Sequence, residues 1–154
     1  LVADVLPQLP PGPIWEPAAG DGRLAEAMRA AGRSVLGSDV LTRDFLTAAP
    51  PIDIAAIVTN PPFNRIDAFI KRALAHLEGD VTDAVVLLMR WDHLTARRRT
   101  GPLEGAAEIR VCPWRPRWIE GSTISPRWSF AWVTWRRDHH GPPVYAWSRK
   151  PASP

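Results

Sequence analysis

The chain of 154 residues contains one cysteine, Cys112. A lone thiol builds neither a disulfide framework nor a thiolate metal cluster, and the sequence therefore predicts a protein of the reducing cytoplasm. No apolar stretch reaches the roughly 20 residues that a membrane span needs. No basic segment followed by an apolar one marks a secretory signal. Internal repeats and low-complexity tracts are also missing, which excludes solenoids and disordered arrays. What is present is ordinary for a globular chain: 45% hydrophobic and 23% charged residues, in a length that suits one domain with one substantial core. The 17 prolines fall between periodic segments and punctuate loops. Leu1 falls inside a helical phrase, so we expect a chain trimmed at its start.

The net charge of +3 is unevenly spread. Residues 1–64 carry four Arg against seven Asp and Glu, whereas twelve Arg and Lys face five acids from Arg90 onward. Seven of the eight tryptophans share that back section. Basic residues interleaved with aromatics suit a polyanion whose bases can stack, which describes nucleic acid. Core tryptophans among solvated arginines would give the same counts.

Periodicity gives the organisation. PIWEP (13–17) reads as a short strand, and RLAEAMRAAG (23–32) as a helix ending on a glycine. SVLGSDV (34–40) is a second strand and DFL (44–46) a very short third. DIAAIVTN (53–60) and TDAVVLLMR (82–90) are continuous apolar runs, as expected of strands buried on both faces. Between them RIDAFIKRALAHL (65–77) places Ile66, Phe69, Ile70, Ala73, Leu74 and Leu77 on one stripe. Beyond Arg90 we expect a broken helix, a strand at 108–114, an antiparallel strand at 129–137 and an edge strand within 142–150. This order predicts an α/β, doubly wound, mostly parallel sheet with antiparallel C-terminal strands and helices on both faces. We expect a single domain over 1–154, its cofactor half at about 12–50 and its catalytic half at about 52–148.

In such a sheet the ligand lies beyond the carboxyl ends of the strands, so the first strand-to-helix turn matters most. It reads Glu16-Pro17-Ala18-Ala19-Gly20-Asp21-Gly22. Gly20 and Gly22 let the backbone approach a ligand. GDGRLA fits a loose dinucleotide fingerprint, but a pyrophosphate wants bare amides and positive potential. Glu16 and Asp21 would repel it. They suit an amine or a sulfonium instead, while Asp39, ending the second strand, can accept from two ribose hydroxyls. A ligand made of an amino acid and a nucleoside, without phosphate, fits all three: S-adenosylmethionine.

After the fourth strand comes Asn60-Pro61-Pro62-Phe63, a stop with an aromatic at its tip. E-P-A-A-G-D-G after a strand, an Asp ending the next, D-F-L, then N-P-P-F resemble the S-adenosylmethionine-dependent amino methyltransferases. The DNA adenine-N6 group is the nearest in pattern. The likeness runs from about Trp15 to the end, where R-P-R-W-I-E-G and W-S-F-A-W-V-T-W resemble small phage-type members. It implies a Rossmann-like class I methyltransferase fold. It also implies that the Asn60 side-chain oxygen and the Pro61 carbonyl accept from the adenine amine, held stiff by Pro62, while Phe63 stacks on a flipped base. No strong general base is required; positioning and dipoles do the work. For the cofactor the resemblance assigns the turn from Glu16 to Gly22, Asp39 and Asn60. It adds Asp44 at the adenine amino group, with Val40 and Phe45 sandwiching the ring.

The pattern departs from the family in two places. Only Val40 to Arg43 separate Asp39 from Asp44, so the helix that usually follows the second strand is missing or reduced to a turn. ADVLPQLP resembles only the tail of the segment that closes over the methionine. We expect no appended target-recognition domain, and the expected nucleic-acid contacts are Arg97, Arg98, Arg115, Arg117 and Trp118, with DNA as the partner and RNA as an alternative. Release-factor glutamine methyltransferases share N-P-P-Y and stand as the rival enzymes; a nucleic-acid-binding module without activity is the rival of another class. No metal is expected: Asp138-His139-His140 reads as a turn. His76 and His93 read as ordinary helix or surface residues, and Cys112 as buried.

Overall fold

The computed structural model describes residues 2–96, 100–114 and 127–149. Short polar turns and long apolar runs sort the chain into seven strands and four helices among those residues. They are β1 (Ile14–Glu16), α1 (Arg23–Ala30), β2 (Val35–Gly37), β3 (Ala56–Thr59), α2 (Ile66–Glu78), β4 (Ala84–Arg90), α3 (Trp91–Leu94), α4 (Thr100–Glu104), β5 (Glu108–Cys112), β6 (Phe130–Arg136) and β7 (Val144–Trp147). Single 3-10 turns occupy Leu6–Gln8 and Phe63–Arg65.

The strands form one sheet in the order β2-β1-β3-β4-β6-β5-β7. β1 to β4 are mutually parallel, and β6 runs against both of its neighbours, β4 and β5. β7 adds to β5 in parallel at the far edge. The centre of the sheet is apolar throughout: every residue of β3 is buried, as are the first six of β4 and of β6. Two cores follow from alternation along these strands. One face packs Ile57, Val85, Leu87 and Val133 under the stripe of α2, with Ile66, Phe69, Ile70 and Ala73 buried as the spacing predicts. The other packs Val58, Val86, Leu88 and Trp132 under Met28 of α1 and under Val2, Val5 and Leu6 of the N-terminal segment.

Two expectations need correction. DFL is not a strand. Asp44 Oδ1 accepts from the Leu46 amide at 3.0 Å and the Asp44 carbonyl from the Ala48 amide at 2.8 Å, so the segment curls into turns. His76 is a helix residue, as one of the two readings had it, and it is buried against Trp15 and Phe45, with ring centroids 6.1 and 5.7 Å away. β2 is shorter than predicted and is the edge of the sheet, leaving Leu36, Val40 and Leu41 exposed. Cys112 is buried as expected. Among the described residues no helix is long and apolar enough to cross a membrane.

Candidate active site

β1 lies between β2 and β3, so the chain leaves β1 first to one side and then to the other. Their carboxyl ends diverge at this point, and the crevice is where a ligand fits. Glu16 is the last residue of β1, and Asn60 follows the last residue of β3. The loop 17–22 is tied down by its backbone. The Ser38 amide donates to the Glu16 carbonyl and the Ala19 amide to the Ser38 carbonyl, both at 2.8 Å. Gly20 and Gly22 have φ of +54° and +84°, a region where a side chain is strained. Gly37 of β2 approaches so closely that a Cβ there would meet the Ala19 Cβ at 3.3 Å. The turn therefore presents backbone to the crevice.

Glu16, Ala18, Asp21, Asn60, Leu88 and Val2 line a cavity of about 380 Å³ in that crevice. This size lies in the range of small-molecule sites. Glu16 is buried, and among the described residues its Oε2 has no hydrogen-bond partner; Asn60 Oδ1 is likewise buried and unpartnered among them. Buried acceptors without donors are costly and uncommon in folded proteins. Burial pushes the Glu16 carboxyl up to about 7, although a hydrogen bond from the Ala25 backbone and the charge of Arg29 pull the other way. Two unsatisfied oxygens facing one small cavity call for a ligand rich in N–H donors, preferably a cation. A larger cavity, about 500 Å³, lies at the opposite end of the sheet beside Asp83, Arg136 and Arg137. Its charges answer one another, Arg137 with Asp83 at 3.1 Å and Arg136 with Asp138 at 3.3 Å, so it lacks that demand.

The expected residues between β2 and β3 are not among those that line this cavity. Asp39 lies outside the cavity, past the end of β2; its Oδ1 accepts from the amides of Leu41 (2.9 Å) and Thr42 (3.1 Å), which fixes the carboxylate. Val40 is exposed, and Asp44 is half-buried. Phe45 cannot wall an adenine ring in this conformation. It is 1% exposed, edge-on to Trp15 with centroids 5.2 Å apart and tilted on Phe69 at 4.9 Å. The sequence did not distinguish a core phenyl from a ligand wall in a loop of that length.

In the N-P-P-F stop, Pro61 is buried and Pro62 extended, at φ −62° and ψ 124°. The Pro62 carbonyl accepts from the Arg65 amide at 3.0 Å, while no described residue donates to the Pro61 carbonyl. Phe63 is half-buried, with its ring 5.7 Å from His93 and 5.9 Å from Phe130. Arg97, Arg98, Arg115, Arg117 and Trp118 lie outside the described residues. Two residues not anticipated stand at this end of the sheet: Arg90, ending β4, lies over the ring of Phe63, and Trp128, just before β6, packs on the same guanidinium. The R-W-D run at a strand end hints at the Arg90–Asp92 pair; nothing in the sequence signals the contact with Trp128.

No protein-family model matches the chain, and no curated protein matches it in sequence. Solved structures do resemble it in fold. The 23S rRNA methyltransferase ErmE superposes with a TM-score of 0.54 at 20% identity, over 84% of this chain and 62% of that one. The present chain thus spans less than two thirds of ErmE. A protein of Pyrococcus horikoshii assigned as an RNA methyltransferase gives a TM-score of 0.60 at 11% identity, over 88% of this chain and 79% of that one. With the sheet order above, these likenesses identify a Rossmann-like class I methyltransferase fold.

Proposed function

We propose that this chain transfers a methyl group from S-adenosylmethionine to an exocyclic amine, N6 of adenine in a nucleic acid, with DNA as the first substrate. The observation that carries the proposal is the pair of buried, unpartnered oxygens, Glu16 Oε2 and Asn60 Oδ1, on one cavity. The donor set fits. Glu16 would hold the ammonium group, the backbone of residues 17–22 would flank the amino-acid part, and Asp39 has an oxygen left for the ribose hydroxyls. Val40 and Asp44 would take the adenine. When bound, the cofactor supplies an electrophilic methyl carbon on a sulfonium.

The rest is work for Asn60 to Phe63. An aromatic amine is a weak nucleophile because its lone pair spreads into the ring. Asn60 Oδ1 and the Pro61 carbonyl, accepting from its two hydrogens, draw the nitrogen toward tetrahedral geometry and localise that pair. Pro62 stiffens the acceptor, and Phe63 would offer its ring to the base. The nitrogen gains a carbon as the sulfur loses it, and the proton on the methylated nitrogen is then acidic enough to leave without a strong base. Preorganised dipoles do most of this work.

RNA is the second reading, favoured by the two RNA methyltransferase structures that share the fold. Protein glutamine and a binding module without chemistry remain testable rivals. Incubation with methyl-labelled cofactor and, separately, unmethylated DNA, RNA and release-factor peptide distinguishes all four. Label in N6-methyldeoxyadenosine supports the proposal, and label in the ribonucleoside moves the substrate to RNA. Label in peptide, or in no substrate despite tight cofactor binding, refutes it.

A further inference from the structure

We propose that Arg90 and Trp128 form a nucleotide-binding contact beside Phe63, in which Arg90 takes a backbone phosphate and the open face of Trp128 stacks on a base next to the methylated one. The inference extends the nucleic-acid reading above and rests on it. Arg90 Cζ sits 3.7 Å from the centroid of the Trp128 ring and 5.7 Å from that of Phe63. Asp92 grips the same guanidinium twice, Nε to Oδ1 at 3.0 Å and Nη2 to Oδ2 at 2.5 Å. That grip holds the Asp92 carboxyl below its usual range, chiefly through the hydrogen bond. The plane of the guanidinium is therefore fixed by a carboxylate on one edge and an indole on one face. Its Nη1 has no partner among the described residues.

The Asp92 side chain is 42% exposed and that of Arg90 18%, so water reaches the carboxylate end of the pair and screens part of its worth to stability. Trp128 is 41% exposed although it is a large apolar ring. A fixed, planar cation with one edge unspent is suited to phosphate, and an indole backed by a cation is a strong platform for a base. Strand geometry puts the pair at the right end of the sheet. Arg90 pairs in register with Phe130, the Trp91 amide donates to the Ser129 carbonyl at 2.8 Å, and β4 is the neighbour of β3, whose last residue Asn60 follows. A strand that delivers its amine to Asn60 and its base to Phe63 must pass this rim.

Equilibrium binding of fluorescently labelled adenine-containing DNA and RNA oligonucleotides, followed by anisotropy, tests the contact without requiring methyl transfer. The variants are Arg90→Gln, Arg90→Lys and Trp128→Ala, each compared with wild type from 50 to 200 mM salt, with cofactor affinity and thermal stability measured alongside. Arg90→Gln should weaken binding roughly ten-fold and lower the salt slope by about one. Trp128→Ala should weaken binding roughly ten-fold with the slope kept. Arg90→Lys should keep the slope and lose most of the affinity. Oligonucleotide affinity and slope at wild-type values in both Arg90→Gln and Trp128→Ala overturn the contact, as does full rescue by lysine. Reduced stability with unchanged oligonucleotide binding assigns the pair to packing and also overturns it. Failure of the methyltransferase reading shows separately, as absent transfer by a wild type that binds oligonucleotide.

Discussion

Glu16 is held in an environment that opposes its charge, and this makes its proton a reporter of the site. In the unfolded chain the carboxyl titrates near 4.5, and in the folded chain at about 7. Between those values the native state keeps a proton that the unfolded state releases, so stability of the free protein falls as pH rises through that window. The full effect is about 3 kcal/mol. Denaturation from pH 5 to pH 8 should show this slope in wild type and lose it in Glu16→Gln. The same variant should bind S-adenosylmethionine at least ten-fold more weakly at pH 8, because the carboxylate is then the partner of the ammonium. An unchanged slope in Glu16→Gln contradicts the assignment. His76 acts in the opposite sense. Burial, helped by the nearby Arg72, lowers its pKa, so its contribution is lost as pH falls from 6.5 through the lowered value. His76→Gln separates the two. At Asn60 we expect Asn60→Ala to cut methyl incorporation by about 10²–10³ while cofactor binding persists. Activity near wild type would show that the carboxamide is not an acceptor.

At the scale of elements, the segment from Ser38 to Ala55 joins β2 to β3 without a helix, and the ring of Phe45 pins it to the core. Phe45→Ala should lower stability by about 3–5 kcal/mol, measured by denaturant unfolding, with donor affinity of the remaining folded protein little changed. A large loss of affinity with small loss of stability would return Phe45 to the cofactor site. This loop marks the limit of what periodicity can tell. β3, β4 and α2 were legible because long apolar runs and the stripe from Ile66 to Leu77 have one solution each. Asp44-Phe45-Leu46 is three residues long, too short for a period, and there the side-chain bond of Asp44 to the Leu46 amide decided the shape. The N-P-P stop was legible for the opposite reason: two prolines leave the backbone little choice.

Over the whole molecule, sheet order brings together what the sequence keeps apart. Glu16 and Asn60 belong to separate strand ends, and they share a cavity because β3 packs beside β1 after the reversal of strand order. Their partnership could be anticipated, since each stands at a strand end in its own motif. The meeting of Arg90, Trp128 and Phe63 could not, because it depends on β6 returning antiparallel along β4. The basic back section belongs to this scale as well. With twelve basic residues against five acids from Arg90 onward, affinity for nucleic acid should fall steeply between 50 and 200 mM salt, whereas cofactor affinity should not. Salt-independent oligonucleotide binding would remove the electrostatic part of the account. The most direct measurement is a crystal structure with S-adenosylhomocysteine bound. The account predicts the ammonium of that ligand against Glu16 Oε2, its sulfur turned toward Asn60, and its ribose at Asp39. A ligand lodged away from residues 16–22, or an Asn60 carboxamide turned into the protein interior, would contradict it.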